Sequence, residues 1–237
     1  MPRFFLPPEN WHDEPALEDE EAKHLAQVLR MQPGETITVF DGRGNRAEAQ
    51  ILQVSKQRIP LKLGPVASQP FLRPRIILAQ AVPKGKNMEW IIQKAVELGV
   101  SVIQPLITRH TIVQPGDQKA EKWSRIALEA CKQCGQDTLP IIEDPLPFDQ
   151  WLEIQSPGQL KLIASLADDA KNFRETLQAR PELQAITLAV GPEGDFSPEE
   201  TQAALAAGFV PITLGHLVLR VETAAMFCLA AIRFQFI

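Results

Sequence analysis

The sequence predicts an α/β domain with a mostly parallel sheet, preceded by a smaller β-rich domain. From residue 76 onward, short apolar runs alternate with segments of helical periodicity, which is the pattern of strands joined by helical crossovers. Before residue 64, apolar and polar residues alternate between glycine-containing turns, as in antiparallel strands. Pro65, Pro70 and Pro74 separate the two patterns, because proline opposes both helices and sheet ladders. We therefore place a linker there.

The elements of the first part follow from local signals. Residues 25–31 have a short helical pattern, and the runs 36–40, 47–55 and 58–63 are predicted strands. Asp-Gly-Arg-Gly-Asn at 41–45 favours a hairpin-like turn between the first two strands, because glycine and asparagine accept the backbone angles that tight turns need.

The second part begins with an apolar strand at 76–81. A helix over 87–98 follows, because its apolar residues recur on one stripe and Gly99 supplies a stop. Further strands are predicted at 100–105 and 160–166, with a basic helix at 117–135 and a short helix around Trp151 between them. The stripe of the first helix consists of Met88, Ile91, Ile92, Ala95 and Val96.

The last 53 residues, 185–237, carry the most specific pattern. A buried strand at 186–190 ends at the turn Gly191-Pro192-Glu193-Gly194. A helix is then predicted to begin after Ser197, because three signals indicate its N-terminus: a hydroxyl N-cap, a proline in the first helical position and a glutamate three residues after the cap. A strand at 209–214, a loop at 215–221 and an apolar helix from about 222 complete the unit. Two loops thus leave the ends of two strands, where ligand crevices usually form in α/β folds.

The composition of these loops restricts the classes of ligand that they could bind. The first lacks the GK[ST] ending of a phosphate-binding loop and the GxGxxG of a dinucleotide fold, so neither a nucleoside triphosphate nor NAD is indicated. A lone GPEG turn is usually structural, since a tight turn needs glycine for steric reasons. The second loop adds Arg220 and Glu222 beside small residues, which favours a binding role for the pair of loops.

Charge and cysteine content exclude some classes. The net charge of −5 argues against a protein that coats nucleic acid, yet residues 71–132 carry 10 Lys and Arg against 5 Asp and Glu. That segment is either a solvated helix face or an RNA-contacting face. No apolar run reaches about 18 residues, and no basic-plus-apolar leader is seen. Cys131, Cys134 and Cys228 fit a reducing compartment, and the CxxC lies in a helical pattern without a second pair, so we expect no metal site.

Several strings together resemble one family. GPEGDFSPEE followed by LGHLVLRVETA resembles the paired signature of the SPOUT-class RNA methyltransferases, and specifically the family that methylates N3 of a uridine in small-subunit (16S) ribosomal RNA. Further matches are RFFL at Arg3, HLAQVLRMQPGETITVFDGRGNRAEA at His24, KGKNMEWIIQKAVELGVSVIQPLITRHT at Lys84 and KWSRIALEACKQCGQDTLP at Lys122. The matches span nearly the whole chain in order.

The resemblance implies a fold and partners. It implies a PUA-like β-barrel domain over residues 1–72, associated with RNA binding, and over residues 73–237 a SPOUT α/β domain whose parallel sheet is tied in a trefoil knot. It also implies a homodimer formed through the second domain, in which the apolar last helix with Phe227, Ile232, Phe234 and Phe236 is interface as well as core. A monomer's core is the alternative. The implied location is the cytoplasm, without a membrane partner.

The resemblance also implies S-adenosylmethionine as the methyl donor, bound largely through backbone groups. The donor-binding positions carried over are Ala164, Ser165, Leu166, Val190, Gly191, Pro192, Glu193, Gly194, Leu214, Gly215, His216, Leu217, Val218, Leu219 and Thr223.

The chemistry of uridine N3 sets the catalytic expectations. N3 carries a proton at neutral pH, so transfer needs a proton acceptor and a group that stabilises the resulting anion. N3 also lies on the pairing edge of the base, so the base must be unpaired or flipped out. We expect Arg220 to contact uracil or a phosphate, and Glu222 or Glu193 to accept the proton. Both glutamates also have structural alternatives, in a helix's first turn and as a brace of the loop.

RNA contacts are expected at basic residues of both domains and at a histidine in the segment that follows the predicted strand at 100–105. These are Arg3, Arg30, Arg43, Arg46, Lys84, Lys86, Arg109, His110 and Lys132.

The chain departs from the family pattern at four positions. Leu217 and Val221 stand where a basic residue and a threonine are expected, Gln136 where an arginine is expected, and Asp195 where the second glycine of GPEGG is expected. Two functions therefore stay open as alternatives: another SPOUT methyltransferase that acts on a ribose or a guanine, and a non-catalytic RNA-binding or ribosome-assembly protein.

Overall fold

The computed structural model describes residues 1–112, 116, 119–156, 158–167 and 169–236, which divide into two compact units. The first unit comprises residues 1–71 and 128–139, and the second comprises residues 72–127 and those from 140 onward. Residues 128–139 thus group with the amino-terminal unit rather than with their neighbours in sequence. The domain limits 1–72 and 73–237 stay a prediction, but a single cut between them does not follow this grouping.

The first unit is built on a six-stranded sheet with the order β1-β3-β4-β5-β2 and with β6 on β4. Strand β1 runs parallel to β3, and the other pairs are antiparallel. A short helix α1 (Asp19–Lys23) continues into one turn of π-helix at His24–Leu29. The strands are β1 (Arg3–Phe5), β2 (Ala16–Glu18), β3 (Thr36–Phe40), β4 (Asn45–Ile51), β5 (Arg58–Leu63) and β6 (Ala67–Ser68).

One carboxylate organises the turn between β3 and β4. The Oδ1 atom of Asp41 accepts hydrogen bonds from the backbone N–H groups of Arg43 at 2.7 Å and Asn45 at 3.0 Å. Its Oδ2 atom accepts a third bond from the side-chain amide of Asn45 at 2.6 Å. These local bonds replace ladder bonds that the turn cannot make. They fix the hairpin that the sequence pattern predicted.

The second unit is an eight-stranded sheet in which all neighbouring strands run parallel. Its order is β10-β8-β7-β13-β11-β14-β12, with β9 on β8. The strands are β7 (Arg75–Ala81), β8 (Val102–Ile107), β9 (Ile141–Ile142), β10 (Leu146–Pro147), β11 (Leu160–Ala164), β12 (Lys171–Asn172), β13 (Ala185–Val190) and β14 (Val210–Thr213). The helices after β7 in the chain are α2 (Asn87–Glu97), α3 (Lys119–Cys134), α4 (Phe148–Glu153), α5 (Phe173–Gln178), α6 (Pro198–Ala206) and α7 (Val221–Phe236). All belong to the second unit except the part of α3 from residue 128 onward, which groups with the first.

The centre of this sheet is buried, as expected for a parallel sheet covered on both faces. From Ile186 to Val190 every residue of β13 is buried. Helix α2 buries the stripe that its periodicity predicts, Met88, Ile91, Ile92, Ala95 and Val96. The guanidinium of Arg233, on α7, donates hydrogen bonds to the backbone carbonyls of Leu98 and Gly99, which follow α2 in the sequence. It also donates to the backbone carbonyls of Arg73 and Pro74, which precede β7. This clamp satisfies carbonyl groups at the end of a helix.

Several predicted boundaries were wrong by a few residues. Strand β8 begins at 102 and ends at 107, so Pro105 lies inside the strand rather than at its end. The second hairpin strand begins at 45 and ends at 51, and residues 165 and 166 already belong to the loop that follows β11. Positions 117 and 118 of the predicted basic helix lie outside the described residues. Boundaries are the least determined feature of a pattern, because helix and strand ends depend on tertiary contacts.

Candidate functional site

Three adjacent strands end beside one cavity of the second unit. Strands β13, β11 and β14 are neighbours in the sheet, and the loops after residues 190, 164 and 213 leave their carboxyl ends. A cavity of about 460 Å³ lies among these loops and the first turn of α7. The crevice at the carboxyl ends of parallel strands is where α/β folds bind ligands.

Most residues predicted to hold a donor line this first cavity. The lining positions are Ala164, Ser165, Leu166, Val190, Gly191, Pro192, Glu193, Leu214, Gly215, Leu217, Val218 and Leu219. Gly194, His216 and Thr223 are absent from the lining. The cavity is also lined by Asn87, Asp195, Val221 and Ala224, for which no binding role was predicted. Asn87 comes from α2, about a hundred residues before the loops, so no local motif could have indicated it.

The loop after β13 is folded tightly by local contacts. A Cβ atom added to Gly191 would lie 2.9 Å from Oδ1 of Asp195 and 3.2 Å from the backbone nitrogen of Phe196, so any other residue would require these neighbours to shift. Asp195 has a φ of 58° and its Oδ1 accepts the N–H of Phe196 at 2.8 Å. Burial raises the pKa of the Asp195 carboxyl, opposed by that hydrogen bond and by His110. The capping box of Ser197 and Glu200 is present as predicted.

The loop after β14 is more open. Gly215 has a φ of 112°, a conformation that favours glycine, and its N–H donates to Oγ1 of Thr213 at 3.3 Å. Leu217 and Val218 are 65% and 78% exposed although both line the cavity. Apolar side chains so exposed at a cavity rim are available to a ligand or to another surface.

The three predicted catalytic residues all line the first cavity. Arg220 is exposed, and within the described ranges its side chain makes no ion pair. Glu222 lies in the first turn of α7, and its Oε2 accepts a bond from the side-chain amide of Asn87 at 3.4 Å. Glu193 accepts the backbone N–H of Lys84 through Oε1 at 2.9 Å. The geometry brings the three together without assigning their roles.

A second cavity, of about 490 Å³, adjoins the same loop. It is lined by Lys84, Arg109, His110, Thr111, Ile112, Glu193 and Gly194, so Glu193 belongs to both cavities. The ring Nδ1 of His110 donates to the backbone carbonyl of Asp195 at 2.9 Å. The backbone N–H of Arg109 donates to Oε1 of Glu200 at 2.8 Å. These two hydrogen bonds hold the segment 109–112 against the loop after β13 and the start of α6.

The predicted RNA-contacting residues fall into two groups. In the first unit, Arg3 donates to Oδ1 of Asp137 at 2.6 Å and Lys132 bonds to Glu21 and, at 2.8 Å, to Glu129. Arg46 also faces Asp137, at 3.6 Å. The others are exposed: Arg30, Arg43, Lys84, Lys86, Arg109 and His110.

Two of the three cysteines occupy packed helical positions, and Cys134 is exposed. Cys131 and Cys228 are buried, and burial raises the pKa of each thiol to about 12. Thiols with such pKa values are poor nucleophiles and poor metal ligands near neutral pH. Among the described residues, no cluster of His, Cys, Asp and Glu has the geometry to hold a metal ion.

Comparisons with known proteins decide the family. An RNA methyltransferase domain model matches residues 71–233, and an RNA methyltransferase PUA domain model matches residues 17–63. The ribosomal RNA small subunit methyltransferase E of Synechocystis is 36% identical over 210 residues, which cover 88% of this chain and 69% of that protein. The chain belongs to the ribosomal RNA small subunit methyltransferase E family. The predicted resemblance is thus confirmed.

Solved structures of relatives agree. A family member from Neisseria gonorrhoeae, solved with S-adenosylmethionine, has a TM-score of 0.90 and 33% identity, covering 100% of this chain and 98% of that one. A methyltransferase from Legionella pneumophila, also solved with that cofactor, has a TM-score of 0.88 and 35% identity, covering 98% and 96%. The SPOUT fold with an amino-terminal PUA-like domain is therefore confirmed. The path of the knot stays a prediction from the family.

Proposed function

We propose that this protein transfers a methyl group from S-adenosylmethionine to N3 of a uridine in small-subunit (16S) ribosomal RNA, which is the activity of its family. The observation that carries the proposal is the first cavity, which the loops after three adjacent parallel strands enclose. Family membership supports the reaction and the donor. The same membership weighs against the two alternatives, a different target nucleotide and a non-catalytic assembly protein.

The residues of the first cavity fit S-adenosylmethionine. Leu166, Leu214 and Leu219 offer apolar side chains for an adenine ring, and the carboxylates of Glu193, Asp195 and Glu222 suit a ligand that carries a sulfonium and an ammonium group. Gly191 and Gly215 leave the backbone accessible to close contacts. When bound, the donor supplies an electrophilic methyl carbon whose transfer forms an N–C bond, breaks the C–S bond and leaves the electron pair on sulfur.

The chain's own residues handle the proton and the charge. Arg220 lies at the cavity rim and is placed to stabilise the negative charge that spreads onto the uracil oxygens when N3 loses its proton. Glu193 and Glu222 are the carboxylates predicted to accept that proton. Glu222 accepts a hydrogen bond from the side-chain amide of Asn87 in the first turn of α7, whereas Glu193 lines both cavities.

The activity is tested with isotope-labelled donor and purified small ribosomal subunits that lack the modification. Nucleoside mass spectrometry should find the label in N3-methyluridine, and naked 16S RNA assayed in parallel identifies the preferred substrate. Label in a methylated ribose or guanine would overturn the target. Calorimetry with S-adenosylhomocysteine tests the donor site, and an absence of binding at millimolar ligand would leave only the assembly-protein alternative.

The role of Arg220 has its own test. Arg220→Ala should abolish transfer while the affinity for S-adenosylhomocysteine stays within about tenfold, because the arginine acts on the acceptor side. An active Arg220→Ala enzyme contradicts that role.

A homodimer through α7 is part of the proposal. Thr223, Phe227, Ala230 and Phe234 are all exposed and recur at helical spacing on one face, and Phe234 is 85% exposed. Ile232, by contrast, is fully buried and belongs to the core. Sedimentation should show a dimer that Phe234→Glu dissociates, whereas Leu205→Glu on α6 should leave it intact. A monomeric wild-type protein would exclude the dimer.

The location proposed for the protein is the cytoplasm, where ribosomal RNA is modified. In the described part of the chain, no helix combines the length and hydropathy needed to cross a membrane. Localisation of a tagged full-length chain by fractionation checks this directly, and recovery with membranes would contradict it.

A further inference from the structure

The second cavity lies opposite the first across the loop after β13. In the sheet, β13 has β11 and then β14 on one side and β7 and then β8 on the other. The first cavity is lined by the loops after β11 and β14, and the second by Lys84 after β7 and by the 109–112 segment after β8. The loop after β13 therefore borders both cavities, and Glu193 lines both.

We propose that the second cavity is the acceptor-nucleotide subsite, in which Lys84 and Arg109 bind the phosphate of the target nucleotide and Glu193 accepts the N3 proton. This inference rests on the proposed function, since it names where the acceptor of that reaction binds. The volume of about 490 Å³ falls in the range of roughly 300–1,000 Å³ that small-molecule sites occupy.

The charges of the second cavity suit a phosphate. Two cations and one histidine line it against a single carboxylate. The guanidinium of Arg109 does face Glu199 at 3.3 Å, but the two side chains are 66% and 71% exposed. Such surface pairs contribute little, so a phosphate can replace the carboxylate as the partner of Arg109. A charge-assisted, bidentate contact with phosphate is the stronger one.

The residues of the cavity are held in place before any ligand binds. The turn at 108–111 is closed by two bonds, from the N–H of Thr108 to Oγ1 of Thr111 at 3.0 Å and from the N–H of Thr111 to the carbonyl of Thr108 at 3.1 Å. Because Nδ1 of His110 donates to a carbonyl, Nε2 of the neutral ring is an acceptor, which suits a hydroxyl group of the nucleotide rather than its phosphate. A Cβ atom on Gly194 would lie 3.2 Å from Cβ of His110, so this glycine permits the close packing of the ring.

Glu193 is oriented for proton transfer between the cavities. Its Oε1 accepts the N–H of Lys84 at 2.9 Å, and among the described residues no hydrogen bond reaches its Oε2. A uracil whose phosphate lies at the cationic wall presents its N3–H to this oxygen. The proton moves to the Glu193 carboxylate, and the electron pair left on N3 forms the bond to the methyl carbon of the donor while the C–S bond breaks and its electron pair stays on sulfur. Proximity of both reactants to one carboxylate is the physical requirement for such catalysis.

The phosphate contact is tested by steady-state kinetics on small ribosomal subunits with saturating labelled donor. Arg109→Ala should raise the KM for the subunit by about tenfold, leave kcat within about threefold and leave the Kd of S-adenosylhomocysteine within about twofold. The slope of log affinity against log salt should fall by about 0.7, the contribution of one phosphate on a single strand. Arg180→Ala, which removes an exposed cation outside both cavities, is the charge-matched control and should change none of these. An unchanged KM and salt slope in Arg109→Ala overturns the subsite.

The proton transfer is tested by Glu193→Gln. Its kcat should fall by about 100-fold or more, the range of general-base catalysis. The remaining rate should rise with pH across the neutral range, because hydroxide must then remove the proton, whereas the wild-type rate should level off. A Glu193→Gln enzyme with more than half of the wild-type rate, or with the wild-type pH profile, overturns the role. In either failure, wild-type labelling of N3-methyluridine still stands, so the subsite and the proposed function fail separately.

Discussion

Arg3 and Lys132 of the first unit and Arg109 beside the second cavity look alike in the sequence but differ in what they contact. The side chains of Arg3 and Lys132 are 15% and 10% exposed and pair with carboxylates of their own unit. Arg109 is 66% exposed and faces an equally exposed glutamate. Buried pairs hold a fold together when both partners are present, whereas exposed ones can exchange partners. We therefore expect Arg3 and Lys132 to stabilise the fold, and RNA contact by Arg109 stays a prediction.

The largest expected effect is on the buried carboxylate of the first unit. Asp137→Ala leaves the guanidinium of Arg3 buried without its partner, and we expect a loss of about 3–4 kcal/mol in the free energy of unfolding. Denaturant unfolding of the full chain measures it. Glu14→Ala is the matched control, because it removes the exposed partner of Arg58 and should cost under about 0.5 kcal/mol. Equal effects of the two substitutions would break the comparison.

The next effect concerns Lys132. Burial alone lowers the pKa of its ammonium, but hydrogen bonds to Glu129 and Glu21 outweigh burial and raise it. Lys132→Met should destabilise the protein by about 2–3 kcal/mol, since Glu21 is left buried, and adding Glu21→Leu should recover most of that loss. A double-mutant cycle in urea gives the coupling. Additive losses would mean that the pair is not a unit.

A smaller effect is expected on the exposed side of the comparison. Glu199→Gln removes the carboxylate that competes for Arg109, so RNA affinity should rise by about two- to threefold while the unfolding midpoint stays the same. Filter binding with small-subunit RNA measures the affinity, and thermal melting measures the unfolding midpoint. A clear loss of stability in Glu199→Gln would mean that the Arg109–Glu199 pair stabilises the fold, as the pairs of Arg3 and Lys132 do.

The smallest expected effect is the change in melting temperature when Asp195 is replaced. Burial raises the pKa of its carboxyl, so its contribution to stability is full below the unfolded pKa of about 3.9 and is lost as pH rises through the folded value. Asp195→Asn keeps an acceptor for the Phe196 N–H and tolerates the positive φ. We expect a Tm about 1–2 °C above wild type at pH 7 and no difference below about pH 3.5. A variant that melts lower at pH 7 would show that the charge is stabilising.

How much the sequence reveals depends on the range of each interaction. The turn at 191–194, the capping box at 197–200 and the buried stripe of α2 follow from contacts within a few residues, so local patterns predict them. The second cavity was not predicted, because it joins loops that begin after residues 81, 107 and 190. Likewise, no local signal shows that Arg3 meets Asp137, 134 positions away. Charge alone indicated the basic residues but not their partners.

The grouping of residues 128–139 with the amino-terminal unit bears on how the protein is made. When residue 71 leaves the ribosome, Asp137 has not yet been synthesised and Arg3 lacks this counter-ion. Asp137 follows only after strands β7 and β8 and helices α2 and α3 have been synthesised. Domains that fold as continuous segments mature one after another during translation. Here the amino-terminal barrel is expected to remain loosely packed on the nascent chain and to become rigid late, so a pulse of protease during synthesis should cleave it long after its own strands have emerged.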